Sequence, residues 1–241
     1  MKMDPIVTNK YEKVLGNCHL FNNLDKESYN ELLSRFHEEK WPTSTCVLNQ
    51  QKWFKNFYII LHGRVKMYQV DPESGREITL FLLTESDSFD LLCLLDGCEH
   101  PVFYESIDSV KVLAMPLVDL REWLNKNPQQ YPNLLNYAGK QMRLLENFVS
   151  DIAFIDIPTR LIKLLIRNVK LDSDNLVLIN DLPNKEIAKL IGSTGPVVNR
   201  HLQILKKKGI IEVSRNHLEI KNLALLLRLI KLQKLRNPGQ K

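Results

Sequence analysis

The sequence predicts an α+β chain with a β-rich N-terminal half, a long central helix and a C-terminal winged helix-turn-helix. Three observations lead there. Between residues 43 and 115, short β-favouring runs are punctuated by Gly and Pro turns, as in an antiparallel sandwich or barrel. Residues 132–154 form the longest helical candidate, with Pro132 in its first turn and no later proline. From Asn184 onward, two short helical segments flank Gly192, and two short strands follow.

Composition narrows the class. At roughly 150 residues per domain, a length of 241 favours two domains, with one large domain also possible on length alone. With 44% hydrophobic and 25% charged residues, a disordered or fibrous chain is excluded. Residues 1–155 carry 16 Lys+Arg and 21 Asp+Glu, whereas residues 156–241 carry 17 and 7, so the basic balance lies in the last third. A net of +10 there points to a polyanionic partner. Met1–Asn17 lacks the continuous apolar core of a signal peptide, and the apolar run Ile78–Leu83 is far too short for a membrane span. Cys18, Cys46, Cys93 and Cys98 form no CxxC pair, which argues against a disulfide scaffold or structural zinc. A cytoplasmic protein is the expectation.

The elements follow in order. Residues 1–40 read as helical and amphipathic, with Leu24, Tyr29, Leu32, Leu33 and Phe36 at helical spacing, and Trp41-Pro42 ends that stretch. Phe57–Leu61 reads as a strand closing at His62-Gly63-Arg64, and Val65–Val70 alternates with period two. Asp71–Gly75 is a tight turn, Glu77–Leu83 the returning strand, and Val102–Tyr104 and Ser109–Met115 continue the pattern. Leu117–Leu124 is a short helix broken at Asn127-Pro128. Along 132–154, Leu135, Ala138, Met142, Leu145, Val149 and Ile152 recur at alternating steps of three and four. Such a narrow stripe suits pairing with one partner helix, so a homodimer seam is expected.

In the last third, Ile157-Pro158 opens a helix over Thr159–Asn168, then comes a polar loop, Lys170–Asn175, and a short strand, Leu176–Ile179. In the helix-turn-helix, Ile187, Ala188 and Ile191 can face Val198, Leu202 and Leu205, with Gly192 supplying the turn. Ser193 or Thr194 can cap the second helix. Gly209 ends it after Lys206, Lys207 and Lys208, and Ile210–Val213 with His217–Ile220 makes a wing. The polar face Thr194, Asn199, Arg200 and Gln203 can enter a major groove. There Arg200 reads guanine, and Asn199 or Gln203 reads adenine. Lys206, Lys207, Lys208 and Arg215 are expected on phosphates. Leu223–Arg236 forms a further apolar helix.

Taken together, Tyr58–Val65, Gly75–Leu82, Ala153–Leu161, Glu186–Gly192 and Arg200–Leu205 resemble, in order and spacing, the cyclic-AMP receptor/FNR superfamily of bacterial transcription regulators. The resemblance covers about residues 20–225. It implies a double-stranded β-helix (jelly-roll, cyclic-nucleotide-binding-like) sensor over 1–130, a dimerisation helix over 131–155 and a winged helix-turn-helix over 156–241. It also implies double-stranded DNA, a second copy of the chain and RNA polymerase as partners.

The resemblance breaks at two places. Nucleotide-binding members use a Gly-Glu pair for the ribose and an Arg-Ser/Thr pair for the phosphate; here Asp90-Leu91 and His100-Pro101 stand there. Leucine cannot accept a ribose hydroxyl, and proline has neither hydroxyl nor N–H to offer. The candidate effector pocket (Phe89, Asp90, Leu91, Leu92, His100, Pro101 and Val102) is therefore expected not to hold cyclic AMP in the family's manner. In the recognition helix, Gly195 and Pro196 replace an Arg-Glu pair, and Arg200 matches only the third reading position, so the target sequence should differ. Ser193, Thr194 and Gly195 complete the candidate DNA-contact set.

Three mechanisms stay open: an unidentified effector, a ligand-independent regulator whose β-roll serves dimerisation and polymerase contact, or a haem- or thiol-based sensor. No cofactor is expected; haem, the alternative, would draw on His100, Cys93, Cys98 or Met115. An iron–sulfur cluster is poorly served by the cysteine spacing. No phosphate loop, HExxH, GxSxG or paired-carboxylate arrangement suggests an enzyme, and His62 and Arg64 read as turn residues.

Overall fold

The computed structural model describes residues 5–47, 55–170, 176–214 and 217–236. Among the described residues, eight strands build the N-terminal half: β1 (His37–Trp41), β2 (Cys46–Val47), β3 (Asn56–His62), β4 (Val65–Val70), β5 (Glu77–Leu83), β6 (Ser88–Phe89), β7 (Phe103–Ser106) and β8 (Val110–Pro116). They form two four-stranded sheets, ordered β1-β8-β3-β6 and β2-β7-β4-β5. The late strands β7 and β8 insert between early ones, which is the wrapped topology of a jelly roll. The fold class expected from the sequence is the one observed.

Short turns hold the wrapping in place. Between β3 and β4, Gly63 lies at φ +89, and a Cβ there would sit 2.8 Å from the Ser109 carbonyl oxygen. Only glycine fits both conditions. Next to it, the Arg64 guanidinium grips Asp108 through two hydrogen bonds of 2.7 Å each. His62 and Arg64 thus sit at a structural corner of the roll.

Helices α1 (Pro5–Asn17) and α2 (Lys26–Arg35) precede the roll, and Asp25 caps α2 by accepting from the Glu27 and Ser28 amides. The helical reading of residues 1–40 is corrected here: α2 stops at Arg35 and His37–Trp41 is strand β1, paired with Val110–Ala114. Phe36 is already extended, and the polar, charged run after it satisfies its backbone on β8, where tertiary pairing overrides local helical pattern. A helix that the sequence pattern did not suggest, α3 (Leu91–Asp96), follows β6.

Helix α4 (Leu117–Lys126) and the 24-residue α5 (Tyr131–Phe154) complete this half. Its core gathers Phe21, Leu32, Phe57, Leu113, Met115, Leu120, Trp123, Leu134 and Tyr137. Phe21 meets Phe36, Phe57 and Trp123 edge-on, with centroids 6.0–6.5 Å apart. Each such burial contributes about 1.5–3 kcal/mol.

The C-terminal elements are α6 (Ile157–Arg167), α7 (Asn184–Leu190), α8 (Gly195–Lys207), β9 (Ile211–Ser214), β10 (His217–Ile220) and α9 (Leu223–Arg236). Asp156 caps α6 through the Thr159 amide. The strand expected over Leu176–Ile179 is corrected to one isolated bridge, Leu176 with Val169, followed by bends, because among the described residues Val177–Ile179 pair with no strand. Most of the Lys170–Asn175 loop lies outside the described residues.

Chain contacts group into two compact units, Met1–Gln69 with Phe81–Leu145, and Val70–Leu80 with Glu146–Lys241. Within the second, Lys189 Nζ lies 2.5 Å from Glu77 and 2.8 Å from Glu186. Burial alone would lower that amine's pKa, but the two carboxylates outweigh it and hold the pKa raised. Arg76 donates to the Gly192 carbonyl at 3.0 Å.

Candidate nucleic-acid interface

Packing between α7 and α8 presents the candidate surface. Ile187, Ala188 and Ile191 are buried against the side of the unit occupied by Val198, Leu202 and Leu205, also buried. Gly192 makes the turn at φ +60, and a Cβ there would lie 2.7 Å from Ile152 Cδ1. The wing pairs Ile211–Ser214 with His217–Ile220 in antiparallel register.

With its apolar side inward, α8 leaves Asn199, Arg200 and Gln203 exposed, with exposed Thr194 just before it. Thr194 occupies the N-cap position but makes no side-chain cap, contrary to the expectation that it or Ser193 would. Pro196 in the first turn has no N–H to cap, and the helix starts on the Thr194 carbonyl, which accepts from Val198 at 3.0 Å. Ser193 and Gly195 are half-buried at the turn. Burial, and then the charge of Arg200, push the His201 imidazole below its usual pKa, so Arg200 is the cation on this stretch of helix.

The lysines divide. Lys206 Nζ pairs with Glu212 at 2.7 Å and donates to the Val213 carbonyl at 2.8 Å, so it ties α8 to the wing. Lys207 and Lys208 are exposed at the helix end. Arg215 lies outside the described residues.

Between α8, the start of α7 and the wing runs a cleft of about 400 Å³, lined by Asn184, Asn199, Gln203, Ser214 and His217 over an apolar floor including Leu182, Ile187 and Leu202. Asn184 donates its side-chain N–H to Asn199 Oδ1 at 3.2 Å. Asn184 and His217 were not among the residues singled out from the sequence. Their place depends on how α7 and the wing meet α8, which no local motif encodes; the nearest signal was Pro183, fixing where α7 begins.

The effector-pocket residues are arranged differently. Phe89 stacks on Tyr58 with centroids 5.0 Å apart and leans on Tyr104 at 4.8 Å, while Trp41 meets Tyr58 and Phe89 edge-on at 5.4 and 5.9 Å. All four rings are buried. Asp90 adopts the left-handed conformation, φ +70, with its side chain only 2% exposed. Its Oδ1 and His100 Nδ1 lie 3.7 Å apart, beyond hydrogen-bond distance. Leu91 and Val102 are buried, Leu92 and Pro101 exposed. A buried carboxyl group facing inward does not fit a cyclic phosphate, whose charge its ionised form would repel. Cys93 and Met115 are packed in the core cluster and Cys98 is exposed. Among the described residues, no three His, Cys, Asp or Glu side chains converge as a metal site.

Along α5, Leu135, Met142 and Val149 are exposed, Leu145 is half-buried, Ala138 packs partly on the core, and Ile152 reaches Gly192. No described helix is long and apolar enough to cross a membrane.

Comparison with known proteins places these features. Residues 159–229 match the Crp-like helix-turn-helix domain, and residues 38–127 the cyclic nucleotide-binding domain. The chain is 25% identical to the CRP-like cAMP-activated global transcriptional regulator of Mycobacterium tuberculosis, over 84% of this chain and 92% of that one. It is 30% identical to the global nitrogen regulator of Synechocystis, over 68% and 76% respectively. In fold it is similar to a CooA mutant from Carboxydothermus hydrogenoformans (TM-score 0.68, 23% identity, 86% of this chain and 93% of that one). It is likewise similar to the c-di-GMP-responsive regulator CLP of Xanthomonas campestris (TM-score 0.68, 16% identity, 81% and 99%).

Proposed function

Because the chain belongs to the Crp/Fnr family of DNA-binding transcription regulators, we propose that it works as a homodimer on a palindromic promoter site in the bacterial cytoplasm, under an effector other than cyclic AMP held in the usual mode. The observation that carries this is the outer line of α5. Leu135, Met142 and Val149 stand seven residues apart and are 64%, 63% and 63% exposed. An apolar line at heptad spacing left open to water calls for a partner helix. A second copy supplies one through a two-fold axis and sets two winged units against two half-sites. The basic C-terminal third meets the phosphates, with Lys207 and Lys208 in contact, while Arg200 reads bases. The paired protomers then recruit or obstruct RNA polymerase.

Sedimentation tests the dimer: at micromolar concentration the native chain should run as a dimer and Met142→Glu/Val149→Glu as a weakened one. A native monomer that still binds a palindrome tightly would end this reading. Calorimetry tests the pocket, and submicromolar cyclic AMP affinity would contradict the carboxylate argument.

The aromatic packing favours a second reading, in which the roll serves only dimerisation and polymerase contact. The two differ in whether promoter affinity responds to added small molecules or cell extract.

A further inference from the structure

The opening residue of α7, Asn184, meets Asn199 of α8 amide to amide. A carboxamide recognises adenine with both ends at once, its oxygen accepting from the N6 amine and its nitrogen donating to N7. On α8 the oxygen end of Asn199 is turned toward Asn184, which donates to it at 3.2 Å. That bond takes one of the oxygen's two acceptor sites and orients the amide, while the nitrogen keeps both N–H groups for a base. Burial of Ile187 and Ala188 on α7 and of Val198 and Leu202 on α8 sets the separation of the two amides, which share one wall of the cleft.

We propose that Asn184 is a positioning residue that turns the amide nitrogen of Asn199 toward the groove as a hydrogen-bond donor, so that it prefers guanine O6/N7 or thymine O4, rejects cytosine, whose edge offers only a donor, and gains from adenine the N7 bond alone. This rests on the DNA-binding reading of α8 and goes beyond it by assigning the base class. The chemistry can be inverted at one atom. Aspartate at 184 offers only acceptors, so it holds Asn199 Nδ2 and turns Oδ1 outward, toward adenine N6 or cytosine N4. Asn184 is half-exposed in the first turn of its helix, where a carboxylate is favourable, so the variant keeps its fold.

The test is selection of bound sequences from randomised duplex DNA by the full chain. Asn199→Ala marks the base step concerned, as the one whose preference disappears. Native protein should choose guanine or thymine there. Asn184→Ala should relax that choice about three- to tenfold, the range for losing one modest hydrogen bond. Asn184→Asp should move it to adenine or cytosine, while its added charge weakens all sequences alike. Native selection of adenine, or an unmoved preference in Asn184→Asp, overturns the proposal. If native protein enriches no sequence at all, the DNA-binding reading fails, and this inference with it.

Discussion

The β-roll and the winged unit hold polar side chains in opposite ways. In the roll, Asp90, Ser88 and Tyr104 are buried, and burial, reinforced by the neighbouring Asp90 and Cys93, raises the Tyr104 phenol well above its usual pKa. In the winged unit, Asn199, Arg200 and Gln203 stand in the open, and the helix that carries them is held by Val198, Leu202 and Leu205 behind. One half packs the candidate effector positions Phe89, Asp90, Leu91 and Val102 inside; the other carries its candidate base-reading side chains on a surface the fold does not need. Substitutions in the first should be felt as stability, and those in the second as specificity.

The sharpest way to break that contrast is Phe89→Ala. Removing a ring held between Tyr58, Tyr104 and Trp41 should cost about 3–5 kcal/mol in chemical denaturation, with the ratio of cognate to random DNA affinity unchanged for folded protein. A cost below about 1 kcal/mol would mean the roll keeps room for a ligand there. Next in size is Arg200→Ala, which should lose about 1–3 kcal/mol of discrimination at one base pair per half-site while leaving stability alone. Lys207→Ala should instead weaken cognate and random duplex equally and flatten the salt dependence. If both variants lose equally on both duplexes, the division between reading and anchoring residues disappears.

Asp90→Gly comes third. It removes a left-handed non-glycine residue and a buried carboxylate oxygen without a hydrogen bond, so thermal denaturation should show a gain of about 1 kcal/mol. Destabilisation would show that Asp90 is held by something the roll requires. The smallest effect belongs to thiol labelling. Burial pushes the Cys18 and Cys93 thiols up to about 12, so almost no thiolate forms near neutral pH, whereas Cys98 is exposed. Iodoacetamide should modify Cys98 in native protein with little change in DNA affinity, and reach the other two only on unfolding. Equal rates at Cys93 and Cys98 would reopen a thiol sensor.

Legibility from sequence followed the range of the interactions. The roll's longer strands between Phe57 and Met115 were visible because alternation and turn residues are local, while the two-residue β6 was too short to show a period; the α7–α8 pair was visible because its apolar spacing and Gly192 are local too. Strand β1 was hidden, since His37–Trp41 is extended only through its pairing with β8. The short helix α3 was hidden as well, because Leu91–Asp96 is too apolar and brief to show a period. At the interface, Arg200 and Gln203 could be read from helical phase. By contrast, the engagement of Lys206 with the wing and of Asn199 with Asn184 arises between elements, and no spacing along the chain announces it.

Asp90 has one more consequence. It stands where nucleotide-binding relatives place a glycine, and its backbone takes the left-handed turn that glycine makes easily. A loop can therefore make this turn with quite different side chains in it. Likeness of shape across this family is thus a poor guide to which signal a member obeys: a change of a few side chains can silence or redirect the sensor while superposition registers nothing.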